Sequence, residues 1–184
     1  MQRLLPGVIA MAAIVVASNI LVQFLILDGL LTWGAFTYPF AFLVTDLMNR
    51  VYGPHAARRV VFVGFVTGII CSLIGSQILL QGDGYEYAAV ALRVAVGSGI
   101  AFLTAQLVDV FIFDRMRQGV WWRAPLASSV VGSALDTALF FTIAFSASIT
   151  LFPASANEEI SWAWDAVPLM NFGAPYPLWV SLAI

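Results

Sequence analysis

Five long apolar stretches constrain the fold of this chain more than any other feature of its sequence. They run approximately from Leu4 to Leu27, Trp33 to Val51, Val60 to Leu80, Ala88 to Phe113 and Pro125 to Phe152. A helix of about 20 apolar residues crosses the hydrocarbon core of a bilayer, which is roughly 30 Å thick. Because lipid offers no hydrogen-bonding partner to backbone groups, such stretches cross a membrane as helices. The sequence therefore predicts an all-α, polytopic membrane helix bundle with five full transmembrane helices.

A sixth apolar stretch begins near Tyr176 and reaches Ile184, about nine residues where roughly 20 are needed to span. We expect it to be the start of a sixth helix, either cut short or a half-helix. The longest stretch between predicted spans, from Pro153 to Pro175, is a short loop rich in Trp and Pro. Residues 1–184 are therefore predicted to form a single integral membrane domain.

The arginines predict the orientation of the chain. If the five spans alternate in direction, seven of the eight arginines fall on one side: Arg3, Arg50, Arg58, Arg59, Arg115, Arg117 and Arg123. Arg93 is the exception. Because Lys and Arg accumulate in cytoplasmic loops, the N-terminus is predicted to be cytoplasmic, in a bacterial inner membrane.

The first apolar stretch has an alternative interpretation as a secretory signal peptide. Arg3 precedes an apolar core, and Ala17-Ser18 loosely resembles a cleavage site. The apolar run continues to Leu27, however, which is longer than a signal core needs. We therefore interpret it as a transmembrane helix.

Composition argues against several classes of function. Hydrophobic residues make up 61% of the chain and charged residues 10%, which leaves too little polar surface for a soluble domain. There is no lysine and no basic run interleaved with aromatics, so a nucleic-acid partner is not expected. Cys71 and His55 each lack the neighbours of a disulfide or zinc site. No Gly-rich phosphate loop is present. We predict no metal, no cofactor and no ATP hydrolysis by the chain itself.

Three aspartates lie inside predicted spans: Asp46, Asp109 and Asp136. A carboxylate at the centre of a lipid-crossing helix costs about 2.5–3.5 kcal/mol on insertion scales, so each needs a partner or a function. Arg50 follows Asp46 at i+4, which allows a local ion pair, and the sequence leaves structural and functional roles for Asp46 open. Asp109 has Gln106 at i−3 on the same face but no charge at i+4. Its partner is expected on another helix or on a ligand.

The fifth span carries a polar stripe with helical spacing, formed by Ser129, Ser133, Asp136 and Phe140. We expect this face to line water or a ligand, since buried intramembrane charges are usually functional. In the first span Asn19 and Gln23 form a further i,i+4 pair. For these two, hydrogen bonding between helices and contact with a substrate both remain open.

Two other features concern the packing of the helices. Pro39 lacks a backbone N–H and should kink or interrupt the second helix. Gly64, Gly68 and Gly75 in the third span predict a seam of small residues where helices approach closely.

Three motifs carry a resemblance to a known family. The run Phe42–Gly53, FLVTDLMNRVYG, is followed by Ala-Ala-Arg-Arg and resembles the signature of the queuosine-precursor transporter family, also called the vitamin uptake transporter group. The stretches Gln106–Phe113 and Trp121–Thr137 resemble the fourth and fifth helices of that family. The similarity extends from about Asn19 to Phe145.

The resemblance implies a six-helix importer of 7-deazaguanine precursors, such as 7-cyano-7-deazaguanine or its aminomethyl relative, for salvage into the modified tRNA base queuosine. The guanine-like edge of such a ligand presents adjacent N–H donors that a carboxylate can accept side by side, and an aromatic ring could cover its flat face. The candidate substrate-binding residues are Asp109, Gln106, Asp136, Asp46, Asn19, Gln23, Ser133, Phe36, Tyr38 and Phe140.

Three alternatives to a self-sufficient importer remain open on the sequence. The nearest is a substrate-binding membrane subunit of an ATP-driven importer, which would need separate energy-coupling subunits. A membrane-embedded enzyme would need a nucleophile with a base, or a metal cluster, assembled from distant helices. In a structural assembly factor, Asp109 and Asp136 would be dispensable to uptake. A homo-oligomer is also left open.

Overall fold

The computed structural model describes residues 2–21, 25–26, 31–37, 39–82, 85–168, 175–177 and 180. The described chain is largely helical. Its helices are α1 (Leu5–Leu21), α2 (Gly34–Thr37), α3 (Pro39–Tyr52), α4 (Pro54–Gly75), α5 (Leu92–Met116), α6 (Arg123–Phe145) and α7 (Ala154–Glu158). Short 3-10 turns precede α1 and follow α7, at Gln2–Leu4 and Ser161–Trp164.

The described residues form three antiparallel strand pairs, two of which lie between helices. They pair β1 (Leu25–Ile26) with β2 (Leu31–Thr32), β3 (Leu79–Gly82) with β4 (Tyr85–Ala88), and β5 (Ala166–Pro168) with β6 (Pro175–Pro177). In the longest of them Leu79 lies opposite Ala88 and Gly82 opposite Tyr85. β1 and β3 occupy the ends of stretches that the sequence analysis assigned to helices, whereas β5 lies within the predicted loop from Pro153 to Pro175.

The five predicted spans correspond to α1, α3, α4, α5 and α6, but the prediction of five full spans is only partly confirmed. Of the described helices, α4, α5 and α6 have 22, 25 and 23 residues and are long and apolar enough to cross a membrane. α1 has 17 residues and α3 has 14. Hydrophobicity extended the predicted spans too far, because the backbone at 25–26 and 79–80 forms strands although its side chains are apolar.

The predicted sixth helix is not observed at its start. Tyr176 belongs to β6 and pairs with Val167, so the segment begins as a strand. Most of the remaining stretch lies outside the described residues.

Proline and glycine set the boundaries of α3 and α4. Pro39 is the first residue of α3, where its missing N–H costs nothing because the first N–H groups of a helix have no partner within it. It therefore begins a helix rather than kinking one. At the other end Gly53 has φ 85°, in the left-handed region, and its N–H donates to Asn49 O at 2.9 Å. Pro54 then starts α4 in the same way.

The two faces of α3 are reversed relative to a helix of a soluble protein. Its polar residues Thr45, Asp46 and Asn49 are buried. Leu43 and Leu47 are 57% and 58% exposed. Charged and amide side chains are seldom buried in water-soluble proteins, and large apolar patches are seldom exposed. The pattern is that of a helix whose outer face meets lipid and whose inner face meets polar side chains.

The chain divides into two compact units. The first comprises Met1–Cys71 and Phe102–Asp136, and the second comprises Ser72–Ala101 and Thr137–Ile184. In the first unit, Met11 of α1 packs with Met48, Val60 and Phe102 in one apolar core. A Cβ at Gly64 would lie 2.7 Å from Met11 Cγ, so the predicted close approach is confirmed there.

The second unit is built around a buried arginine. Arg93 is fully buried, and its Nη2 donates to Ile143 O at 3.0 Å and Ser146 O at 2.7 Å, at the C-terminal end of α6. Its Nη1 donates to Oδ1 of Asn157, on α7, at 2.8 Å. A cation is favourable at a helix C-terminus, where carbonyls lack partners. Arg93, the exception to the arginine pattern, therefore acts as a cap inside the protein.

Candidate functional site

A cluster of polar side chains lies inside the first unit, contributed by α3, α5 and α6. We call it the polar cluster. Its members are Thr45, Asp46, Asn49, Gln106, Asp109, Ser128 and Ser129. Residues 61 to 83 positions apart in sequence meet here, because each helix turns its polar stripe inward and its apolar stripe outward.

Asp46 is the member with hydroxyl donors. Ser128 Oγ donates to its Oδ1 at 3.2 Å, and Ser129 Oγ donates to its Oδ2 at 3.3 Å. The carboxyl group is 4% exposed. Consecutive serines near the start of α6 therefore satisfy one bond on each oxygen of an aspartate on α3.

The ion pair that the sequence suggested between Asp46 and Arg50 is absent from the described structure. The Arg50 guanidinium instead donates from Nη2 to Trp121 O at 2.6 Å and lies 5.2 Å from the centroid of the Phe113 ring. Arg50 is exposed near the end of α3, whereas Asp46 turns inward between helices. Helical i+4 spacing permits a pair but does not require one when both side chains have other neighbours.

Asp109 is the member without a donor. It is fully buried, and neither Oδ1 nor Oδ2 has a hydrogen-bond partner among the described residues. Ser128 and the Asp46 carboxyl lie near it. Ser128 Oγ donates to Asp46 Oδ1 instead, and a bond between two carboxyls exists only when one of them holds a proton. An ionised Asp109 therefore presents two unpaired acceptor atoms to the interior.

Gln106 and Asn49 extend the set of unpaired polar atoms. Gln106 Oε1 accepts a hydrogen bond from Thr45 Oγ1 at 2.6 Å, while its Nε2 has no partner in the described part of the chain. Asn49 Nδ2 donates to Val110 O at 3.0 Å, which leaves Asn49 Oδ1 unpaired within the same residues. Both side chains are fully buried.

A glycine on α6 allows the helices around Asp109 to approach. A Cβ at Gly132 would lie 2.7 Å from Phe42 Cε1 and 3.4 Å from Asp109 Cβ. Any larger residue would displace the Phe42 ring or push α6 away from α5. Ser128, Gly132 and Asp136 follow one another at i+4 and so share one stripe of α6.

The polar cluster has the chemistry of a recognition site. Buried polar groups are nearly always paired in native proteins, and each unpaired one costs about 1–3 kcal/mol. The amide NH2 group of Gln106 and three acceptor oxygens, on Asn49 and Asp109, have no partner among the described residues, and a bound polar molecule could satisfy them. We find no group of three metal-binding side chains within the described ranges.

Comparison with known proteins identifies the family. The family model described as "Putative vitamin uptake transporter" matches residues 32–172, which is more than half of the chain and includes every member of the polar cluster. The chain belongs to the vitamin uptake transporter family. The resemblance of the three motifs is thereby confirmed. Family membership and the long apolar helices make it a multi-pass membrane protein.

Three curated relatives of this family member bear related names. A "Queuosine precursor transporter" of Escherichia coli is 38% identical over 157 residues, 80% of this chain and 71% of that relative. A "Probable queuosine precursor transporter" of Haemophilus influenzae is 39% identical over 71% of this chain and 59% of its own. One of Bacillus subtilis is 31% identical over 67% of this chain and 58% of its own. The chain thus spans about three fifths of the latter two. No solved structure matches it.

The structure brings some of the predicted binding residues of this family member together and leaves others apart. Asp46, Gln106 and Asp109 belong to the polar cluster, and Asp136 is half-buried on the same stripe of α6 as Ser128. Ser133 is exposed, and so is Phe36, at 53%. The side chains of Asn19, Gln23 and Tyr38 lie outside the described residues.

Phe140 has a different environment from the one predicted. It packs in the second unit, where its ring centroid lies 5.1 Å from that of Phe141 and 5.9 Å from that of Phe145. An aromatic ring that lies near Asp109 is that of Phe42, since both residues adjoin Gly132.

Sequence reasoning omitted Thr45, Asn49 and Ser128 from the candidate site. A signal was present on α3, because positions 42, 45, 46 and 49 share one helical face. For α6 the predicted stripe was right only in part. Ser129 donates to Asp46 as a member of the polar cluster, but Ser133 is exposed, and Ser128 and Gly132, one residue earlier in the period, face the other helices.

Proposed function

We propose that this chain imports a queuosine precursor, 7-cyano-7-deazaguanine or 7-aminomethyl-7-deazaguanine, for salvage into modified tRNA. The observation that carries the proposal is the buried Asp109 carboxylate, whose two oxygens have no donor among the described residues. The names of the curated relatives support the same substrate class.

The polar cluster offers the complement of a guanine-like edge. Such an edge presents two adjacent N–H donors beside a carbonyl oxygen, and a carboxylate accepts two donors side by side. In the proposal Asp109 accepts from the N–H pair and Gln106 Nε2 donates to the carbonyl. Phe42 adjoins Gly132 as Asp109 does and is the aromatic candidate to cover the flat face of the ligand. Binding would give the buried, unpaired atoms of Asp109 and Gln106 hydrogen-bond partners and so remove the free-energy cost of leaving them unpaired.

The proposed location is the bacterial inner membrane, with the N-terminus in the cytoplasm. Seven of eight arginines support this orientation under the positive-inside rule. The eighth, Arg93, is buried against the end of α6, so it is not a loop charge and does not count toward the orientation. Labelling of single cysteines introduced beside Arg3 and beside Leu151 from each side of the membrane tests the orientation.

The energy source of the proposed transport has two candidate forms. Either the chain acts alone, with helices that rock around a fixed site, or it is the substrate-binding subunit of an assembly with ATP-hydrolysing partners. Purified chain in liposomes distinguishes them. Uptake without any other protein supports the first form, and uptake only after addition of energy-coupling subunits and ATP supports the second.

Uptake of labelled 7-cyano-7-deazaguanine tests the proposal, in cells that cannot synthesise it. We compare the unmodified chain, an empty vector, Gln106→Leu and the control Gln118→Leu at matched membrane expression. Gln106 is buried with an unpaired amide, whereas Gln118 is exposed after α5. Loss of one neutral hydrogen bond, about 0.5–1.5 kcal/mol, raises the half-saturating concentration about 2- to 13-fold for Gln106→Leu.

The ligand supplies the complementary test. An analogue without the exocyclic amine has one donor fewer and should compete more weakly with the labelled substrate. Equal competition, or uptake by the unmodified chain no greater than by the vector, would contradict the proposal. Equal effects of Gln106→Leu and Gln118→Leu would exclude the assigned site.

A further inference from the structure

A groove in the first unit, away from the polar cluster, lies between the start of α1 and the start of α4. Its volume is about 920 Å³, within the range of ligand pockets. Its lining includes three basic side chains, His55, Arg58 and Arg59. Nothing in the proposed import uses this groove.

The basic side chains of the groove are uncommitted. Among the described residues His55, Arg58 and Arg59 form no hydrogen bond, ion pair or ring contact. Four other arginines of the first unit lie near the ends of α3, α5 and α6. Each of them contacts a carbonyl, a carboxylate or an aromatic ring: Arg50, Arg115, Arg117 and Arg123. The three side chains at the groove are therefore available to a ligand of negative charge.

The rest of the groove is apolar and lies one turn deeper along the helices. Leu5 and Val8 line it from α1, and Phe62 and Val63 from α4. Leu5 is 54% exposed and Phe62 is 59% exposed. α4 has 22 residues, a length of about 33 Å that matches the thickness of a bilayer. Arg58 and Arg59, in its first two turns, therefore lie at the level of lipid headgroups, and Phe62 and Val63 lie where acyl chains begin.

We propose that this groove binds one anionic glycerophospholipid. Its phosphate contacts Arg58, Arg59 and His55, near the N-terminus of α4, where the helix dipole also favours an anion. One acyl chain lies along the apolar wall formed by Leu5, Val8 and Phe62. A free phosphate would leave that wall uncovered, and a zwitterionic lipid would leave the excess positive charge unpaired. The charge at one end and the apolar wall at the other together favour a lipid with net negative charge.

Native mass spectrometry of the purified full chain in detergent tests this assignment. The protein is mixed with equal amounts of phosphatidylglycerol and phosphatidylcholine of identical acyl chains. We expect one tightly retained phosphatidylglycerol, preferred about 30-fold as two arginines at a membrane surface would give. The double variant Arg58→Gln/Arg59→Gln should lose that preference. The matched control Arg115→Gln/Arg123→Gln, with the same change in charge, should keep it.

Each other result overturns the proposal. Equal loss in both double variants would mean diffuse attraction of lipid to positive charge. Equal retention of the two lipids by the unmodified chain would mean no anion selectivity. Displacement of the lipid by glycerol 3-phosphate at equal concentration would mean a site for a free anion. Should the arginine variant fail to fold, Leu5→Gln keeps the arginines and should weaken retention of phosphatidylglycerol several-fold; unchanged retention there would also refute the site.

Discussion

Replacement of Asp109 by Asn separates a ligand-binding role from a structural one, because the two roles predict opposite changes in stability. Asp109 is fully buried with both oxygens unpaired among the described residues, beside a second carboxyl that already has two hydroxyl donors. Asn has the same shape, removes one negative charge and provides a permanent N–H donor toward Asp46 without uptake of a proton. One hydrogen bond to a charged group contributes about 1.5–3 kcal/mol.

We therefore expect Asp109→Asn to raise the free energy of unfolding by about 1.5–3 kcal/mol, or the melting temperature by roughly 3–12 °C for a chain of this length. The same substitution removes a charge-assisted bond to the ligand and should weaken transport about 10- to 150-fold. Thermal unfolding in detergent and saturation uptake measure the two quantities. Binding sites commonly lower the free energy of unfolding of a protein in this way, because groups that serve function are not optimal for stability.

The matched control is Asp114→Asn on the same helix. Asp114 is 41% exposed and pairs with Arg117 at 3.2 Å, and an exposed ion pair contributes only about 0–1 kcal/mol. Both stability and uptake should remain near those of the unmodified chain. A lower melting temperature for Asp109→Asn, with uptake reduced only in proportion to folded protein, would refute the reasoning and assign Asp109 a structural role. Uptake at the unmodified level would remove it from the ligand site.

Three further substitutions, with Gly68→Ala as a control, test the packing of the helices through thermal unfolding in detergent. Gly64→Val should lower the free energy of unfolding by about 1–3 kcal/mol, since its Cβ would lie 2.7 Å from Met11 Cγ. The control Gly68→Ala, whose Cβ would lie 3.6 Å from its nearest neighbour, should leave the free energy of unfolding unchanged or raise it. Equal losses in the two variants would contradict the close approach at Gly64. Gly53→Ala should cost about 1–2 kcal/mol, because φ 85° is strained for any residue with a Cβ; no loss would mean that the turn adapts. Arg93→Met should lower the free energy of unfolding by about 3 kcal/mol or more, because it removes charge-assisted hydrogen bonds to two carbonyls at the end of α6. An unchanged melting temperature would show that other groups cap that helix.

Sequence reasoning located the candidate site in part. Asp46, Gln106 and Asp109 stood out because charged and amide groups are rare in apolar helices. Gly132 gave no polar signal, although it allows α6 to approach Asp109. The register of the serines on α6 was also ambiguous, since two neighbouring stripes satisfy the 3.6-residue period equally well.

The sequence by itself determined the membrane class, the positions of the main helices and the family, because hydrophobicity and local motifs are properties of neighbouring residues. It could not place the helix ends, where apolar side chains at 25–26 and 79–80 enter strands instead. Tertiary structure alone decided that Arg50 turns to Trp121 while Asp46 meets two serines. The reason is physical: these bonds join residues 71 to 83 positions apart, so whether a buried polar atom is paired depends on which helices pack together. The unpaired oxygens of Asp109, on which the proposed function rests, became visible only in that packing.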